Sequence, residues 1–189
     1  VAPDQPVLLT RADGHALVAN SAALKAAGID DATAAPAGGE IVKGKDGKPT
    51  GMLVDNAMGL VAKLRLPPSE ADRRAAFDAA FKVEAAYGWT GVHSMSVAWA
   101  DVGLLEALNA EGKTPLRVYN AVDVGQAGPL FDDGPRATKD GRIVTRAVKL
   151  YEDGALGSRG AALFEPYADA PGARGLVVTP PDRMRAFMA

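Results

Sequence analysis

Apolar positions along the chain change their spacing near residue 66. Before it they come in short bursts. PVLLT (6–10) reads as a short strand, and SAALKAAG as a helix with Asn20 or Ser21 as N-cap and Gly28 as its stop. EIVKGKDGKPTGMLVD has two apolar arms around Asp46-Gly47, a dipeptide favoured in tight turns, which predicts a hairpin. A short helix over NAMGLVAKL follows. From Pro67 the apolar positions fall into longer runs of alternating period. Ser69 and Asp72 form a capping box, opening a helix with Phe77, Ala80, Phe81 and Tyr87 on one face and its end at Gly88. WTGVHSM (89–95) reads as a buried strand. Asp101 then caps a helix whose Leu104, Leu105 and Leu108 point inward, with its stop at Gly112. PLRVYNAVDV (115–124) and RIVTRAVKLY (142–151) are further strands, joined by the loop GQAGPLFDDGPRATKDG with no helix signal. Near the end, Thr179 as N-cap, Pro at N1 and Asp182 at N3 open a short helix.

Strand–helix–strand alternation implies parallel strands with helical crossovers. The expected class is α/β. Residues 1–66 form an inserted α+β segment, and 67–189 are either a small open sheet or a slice of a barrel. The start at Val1 and the brief last helix predict a piece of a longer chain, and an incomplete barrel with open strand edges predicts that the chain either associates, as in a homo-oligomer, or is only partly folded.

Composition narrows the function classes. The chain has 189 residues, of which 48% are hydrophobic and 23% charged, the balance of a globular protein with one sizeable core. A net charge of −2 gives no basic patch for nucleic acid or an anionic membrane. Without cysteine there are neither disulfides nor thiolate metal sites. No apolar run nears the roughly 20 residues of a membrane span. No targeting pattern opens the sequence, so the compartment is unknown and the cytoplasm is the default expectation.

The stretch AVKLYEDGALGSRGAALFEPY (147–167) carries the most chemistry. Lys149 closes an apolar strand near its carboxyl end, where active sites of parallel α/β folds gather. Three readings stand: a core-edge lysine that snorkels, a Schiff-base or general-base lysine, or a lysine carbamate that bridges two metals. Glu152 and Asp153 read as metal ligands, an ion pair or a solvated turn. Gly154, Gly157 and Gly160 allow positive φ or close approach to a ligand, but their spacing is no phosphate-binding fingerprint. Arg159 suits a bidentate grip on a substrate carboxylate, or a pair with Glu165 or another surface acid. His93 lies near a strand end, as a catalytic group or a hydrogen-bonded core residue. His15, in RADGHALVAN, either projects into a cleft or serves the turn. The chain has no H-x-H, no H-E-x-x-H and no G-x-S-x-G elbow. Asp132 and Asp133 read as solvated.

Taken together, PVLLTRADGHALVANSAALKAAGI, GGEIVKGKDGKPTGMLVDNA, GWTGVHSM, AVKLYEDGALGSRGAALFEPY and RGLVVTPPDRM resemble the amidohydrolase superfamily, in the branch that includes N-substituted formamide deformylase. The resemblance implies strands two to four of a (β/α)8 barrel, with residues 1–66 inserted after the first strand. It implies hydrolysis of an amide-like, non-peptide C–N bond in a small molecule by a metal-activated water. Lys149 looks like the carboxylated lysine that bridges divalent metal, zinc by expectation. His15, in the DGH segment, Arg159 and His93 become candidates for substrate contact. The other metal ligands of the family have no counterpart here, so no complete catalytic set is expected in this chain. A small-molecule-binding or interaction module without catalysis remains the alternative.

Overall fold

The structure, a computed structural model, describes residues 2–189. Its contacts divide the chain into two units, Val1–Leu66 with Tyr151–Ala189, and Pro67–Leu150. Residues 151–189, which the sequence grouped with the (β/α) segment, pack with the first unit.

The first unit is built on an antiparallel sheet. β1 (Leu8–Thr10), β2 (Ala16–Ala19), β3 (Gly39–Lys43) and β4 (Pro49–Asp55) lie in the order β1-β2-β4-β3. The hairpin of β3 and β4 forms as expected around Asp46-Gly47. β2 was not foreseen: ALVA is too short to show alternation, and it pairs on both sides, with β1 and β4. After β2 comes α1 (Ser21–Ala27), capped by Asn20. The Asn20 Oδ1 accepts from the amides of Ala23 (2.9 Å) and Val7 (3.0 Å), and its Nδ2 donates to the carbonyls of Ala2 (2.9 Å) and Gln5 (2.8 Å). One side chain thus caps a helix and ties down the N-terminal arm. Gly28 ends α1 in the left-handed region at φ 78°. The segment Asn56–Leu64 is a 3-10 helix, tighter than the helix its sequence suggested. Its Ala57 and Val61 close a core with Leu17, Ala19, Ala23, Ile29, Ile41 and Leu53. Leu17 and Leu53 are almost wholly buried, each stabilising the unit by about 2 kcal/mol through removal of apolar surface from water.

The second unit opens with α2 (Glu70–Ala86), where the Ser69–Asp72 capping box is present on both sides. Phe81 is buried, but Tyr87 is exposed, because it follows the last helical turn and leaves the apolar face. β5 (Gly91–Val97), β6 (Arg117–Asp123) and β8 (Ile143–Lys149) pair in parallel, in the order β5-β6-β8. α3 (Trp99–Ala110) starts at Ala98, not at Asp101; Asp101 sits in its first turn and pairs with Arg73 at 2.8 Å. The loop after β6 does contain structure. It holds α4 (Gly128–Asp133), led by a proline, and β7 (Arg136–Ala137), which runs antiparallel to β8 at the sheet edge. Glycine and proline density hid that helix, since proline in a first turn supports a start instead of breaking it. On the helix-bearing face, Phe81, Leu105, Leu116, Val118 and Ile143 form one cluster, and Val97, Val102, Val122, Ala127 and Leu130 another. β5 is only half-buried, with His93 and Met95 exposed.

Residues 151–180 return to the first unit as ordered loop. Tyr167 is buried and donates through its hydroxyl to the Ala161 carbonyl (2.8 Å). α5 (Pro181–Met188) follows Pro180, so Thr179 is not its cap; the Thr179 amide donates instead to the Glu152 carbonyl (3.1 Å). Among the described residues no helix is long and apolar enough to cross a membrane.

Candidate functional site

The β1–β2 turn is RADGH. The Arg11 amide donates to the Ala16 carbonyl (2.8 Å) and the Gly14 amide to the Arg11 carbonyl (2.9 Å). The Asp13 carboxylate accepts from the His15 amide (3.1 Å), an Asx turn that fixes the backbone of His15. Asp13 is gripped by Arg11 at 2.6 Å and 2.7 Å. That hydrogen bond, helped by the His15 amide, holds its carboxyl down to about 2.

β2 and β4 pair with Ala16 opposite Val54. One step further along the ladder brings His15 opposite Asp55. The ladder continues there: the Asp55 amide donates to the His15 carbonyl (3.1 Å). The side chains meet as well, with His15 Nδ1 2.7 Å from Asp55 Oδ1. Asp55 is the end of its strand, at φ 46° and ψ −121°, a region that side-chain-bearing residues rarely adopt. Its side chain is 4% exposed, and that of His15 is 22% exposed. The second carboxylate oxygen, Asp55 Oδ2, is buried without a hydrogen-bond partner.

That oxygen lies against the glycines of DGALGSRG. A Cβ built on Gly154 would come within 2.4 Å of Asp55 Oδ2, and one on Gly160 within 2.7 Å. Neither glycine has positive φ. Their requirement is close approach, to Asp55 and to each other, and not the ligand approach expected from the sequence. Gly157 has open space around it.

His15 and Asp55 line a cavity of about 260 Å³ with Asp13, Asn56, Tyr151 and Asp153 among its other walls. The Tyr151 ring meets the His15 ring edge-on, centroids 5.9 Å apart. Asn56 Nδ2 donates to the carbonyls of Ala37 (2.8 Å) and Val178 (3.3 Å). Asp153 Oδ2 accepts from the Ala162 amide (2.9 Å). A small cavity with convergent polar groups is the usual form of a small-molecule site.

The other sequence candidates stand elsewhere. Arg159 is held by Asp169 through two bonds of 3.2 Å and 2.8 Å, a pair with a surface acid other than Glu165. His93 is exposed on β5, its ring 5.1 Å from that of Tyr119, and so is no core residue. Lys149 closes β8 at its carboxyl end, opposite Asp123 of β6 in the parallel register. Among the described residues no three His, Asp or Glu side chains converge in a way that could hold a metal ion.

Asp55 and Tyr151 are the site residues that sequence reasoning passed over. GMLVDNA was conspicuous only as a hairpin arm. The pairing of its last residue with His15 depends on β2, which carried no signal of its own.

Comparison with known proteins is consistent along the whole chain. Residues 1–188 match the model of the amidohydrolase family. The chain is 40% identical to YtcJ of Bacillus subtilis (strain 168), whose name marks it as a candidate amidohydrolase, over 93% of this chain and 34% of that protein. It is 37% identical to N-substituted formamide deformylase of Arthrobacter pascens, over 82% of this chain and 29% of that one. An uncharacterized metal-dependent hydrolase from Pyrococcus horikoshii OT3 superposes with a TM-score of 0.67 at 25% identity, covering 98% of this chain and 36% of its own. The chain thus spans about a third of the length of the relatives it matches.

Proposed function

We propose, because this chain belongs to the amidohydrolase family, that it is part of a metal-dependent hydrolase that cleaves the C–N bond of an amide-like, non-peptide small molecule. The supporting observation is the cavity around His15: a buried carboxylate fixes an imidazole at the wall of a small pocket. The relatedness to a deformylase of N-substituted formamides supports an amide substrate. The parallel unit is then strands two to four of a (β/α)8 barrel, and residues 1–66 the segment inserted ahead of them. Lys149, as a carbamate, is the ligand this chain contributes to a divalent metal, zinc; the remaining ligands belong to the rest of the protein. His15 contacts the substrate.

The test is turnover by the whole protein that contains this chain. N-substituted formamides and cyclic amides are supplied, and released amine and bound metal are measured. The expected result is amine release by the wild type, with both turnover and bound metal lost in Lys149→Ala. Binding of amides without release of amine, in metal-loaded protein, would leave a binding module as the correct reading.

A further inference from the structure

We infer that the cavity at His15 is a binding site for a small organic ammonium, which donates an N–H to His15 Nε2, and that Asp55 is the positioning residue that keeps Nε2 an acceptor. The described residues that line the cavity all belong to the first unit, so the inference stands on that unit alone and apart from the hydrolase reading. An ionised carboxylate only accepts hydrogen bonds, so the 2.7 Å contact places a proton on His15 Nδ1. In the neutral ring Nε2 is then a bare lone pair. It takes no hydrogen bond from the described residues and it is not buried, so it is open to a ligand.

The imidazole is fixed at three points. Asp55 holds Nδ1, the Asp13 carboxylate holds the His15 amide (3.1 Å), and the Tyr151 ring meets the imidazole edge-on. Asp55 itself sits at φ 46° with its side chain 4% exposed, and Gly154 and Gly160 leave no room for a Cβ beside its second oxygen. A carboxylate that served only the turn would need none of these. Strain without local benefit at a cavity wall is the pattern of a functional position.

The charge of the walls selects the class of ligand. Asp13, Asp55 and Asp153 line the cavity, and its described lining contains no lysine or arginine. Arg11 neutralises Asp13 at 2.6 Å. Asp55 is paired with a ring that is uncharged in this tautomer, and Asp153 with the Ala162 amide, a donor without net charge. The charges of Asp55 and Asp153 therefore stay uncompensated, which favours a cation and opposes a carboxylate or a phosphate. Met58 and Val178 supply apolar wall for a short alkyl chain, and about 260 Å³ admits a small amine. A metal ion fits less well, since no three His, Asp or Glu side chains converge among the described residues. An ammonium is the cation that also donates to Nε2.

The test uses the whole protein that contains this chain, with nitrogen-labelled histidine and long-range proton–nitrogen NMR. The His15 signals are those lost in His15→Phe or His15→Gln. Three probes are titrated: n-propylammonium, tetramethylammonium, which has the charge without an N–H, and N-methylformamide, which has an N–H without the charge. Neutral His15 is expected as the Nδ1–H tautomer, with an Nε2 resonance that shifts and saturates with n-propylammonium. The other two probes should need concentrations about tenfold higher or more, the effect of one charge-assisted hydrogen bond. Asp55→Asn should move His15 toward the Nε2–H tautomer and weaken n-propylammonium by a similar factor. An Nε2–H tautomer in the wild type would overturn the positioning role whether or not the variants fold. Equal potency of tetramethylammonium would overturn donation to Nε2, and equal potency of N-methylformamide would overturn the choice of a cation. No shift with any probe would overturn the site. None of these readings needs turnover, so a failure of amide cleavage is seen separately.

Discussion

Replacing Asp55 by glycine and by alanine separates the two roles that one residue combines. Both substitutions remove the hydrogen bond to His15 and the buried, unpartnered Oδ2, so those contributions cancel when the variants are compared. They differ in the backbone. At φ 46° and ψ −121° a residue with a Cβ is strained by on the order of 1–3 kcal/mol. Glycine relieves that strain but gives up about 0.5–1 kcal/mol through the freedom of its unfolded chain. Asp55→Gly should therefore be the more stable variant by about 1 kcal/mol. With a urea slope of about 2 kcal/mol per molar, the midpoint difference is roughly 0.5 M. Far-UV circular dichroism is the suitable signal, because both tryptophans, Trp89 and Trp99, lie in the other unit. An alanine variant as stable as the glycine variant, or more so, would show that position 55 stores no backbone strain.

Other outcomes follow from the same geometry. Gly154→Ala places a methyl 2.4 Å from Asp55 Oδ2 and 2.8 Å from the Gly160 Cα, and should cost about 1–3 kcal/mol by denaturant titration. Asn20→Ala removes a helix cap and the anchors of the N-terminal arm together, so its loss should exceed the roughly 1 kcal/mol of an ordinary cap in thermal or urea unfolding. Asp13 has a folded pKa below its unfolded value. Its contribution to stability is present above the ordinary carboxylate range and is lost as pH falls toward about 2. Arg11→Ala should move the carbon-detected NMR titration of Asp13 back toward the ordinary range, and an unmoved midpoint would refute the assignment of that shift to Arg11.

Much of the local structure was legible because its causes are local. The Ser69–Asp72 box, the Asn20 cap and Gly28 stop of α1, and the Asp46-Gly47 hairpin each depend on residues a few positions apart. Errors came where neighbours in space outweigh neighbours in sequence. β2 is four residues long and exists because strands on both sides complete its hydrogen bonds. Asn56–Leu64 was read by composition as a helix, and its 3-10 form accompanies the tight exit of the chain from Asp55. The packing of residues 151–189 with the first unit is a matter of long-range contacts, such as the bond from Asn56 Nδ2 to the Val178 carbonyl, that no periodicity announces.

The same division applies to the candidate site. By itself the sequence determined the chemistry at hand: two histidines, no cysteine, a lysine closing an apolar strand, and a loop rich in glycine. It also carried the family likeness. Only the tertiary structure decided which of these groups meet. His15 and Asp55 are 40 positions apart and are joined by the register of two antiparallel strands. Gly154 and Gly160 reach the same carboxylate from a segment about a hundred residues further on. Residue type states what a group can do, but proton transfer acts over a hydrogen bond's length, and that distance is set by packing and strand register.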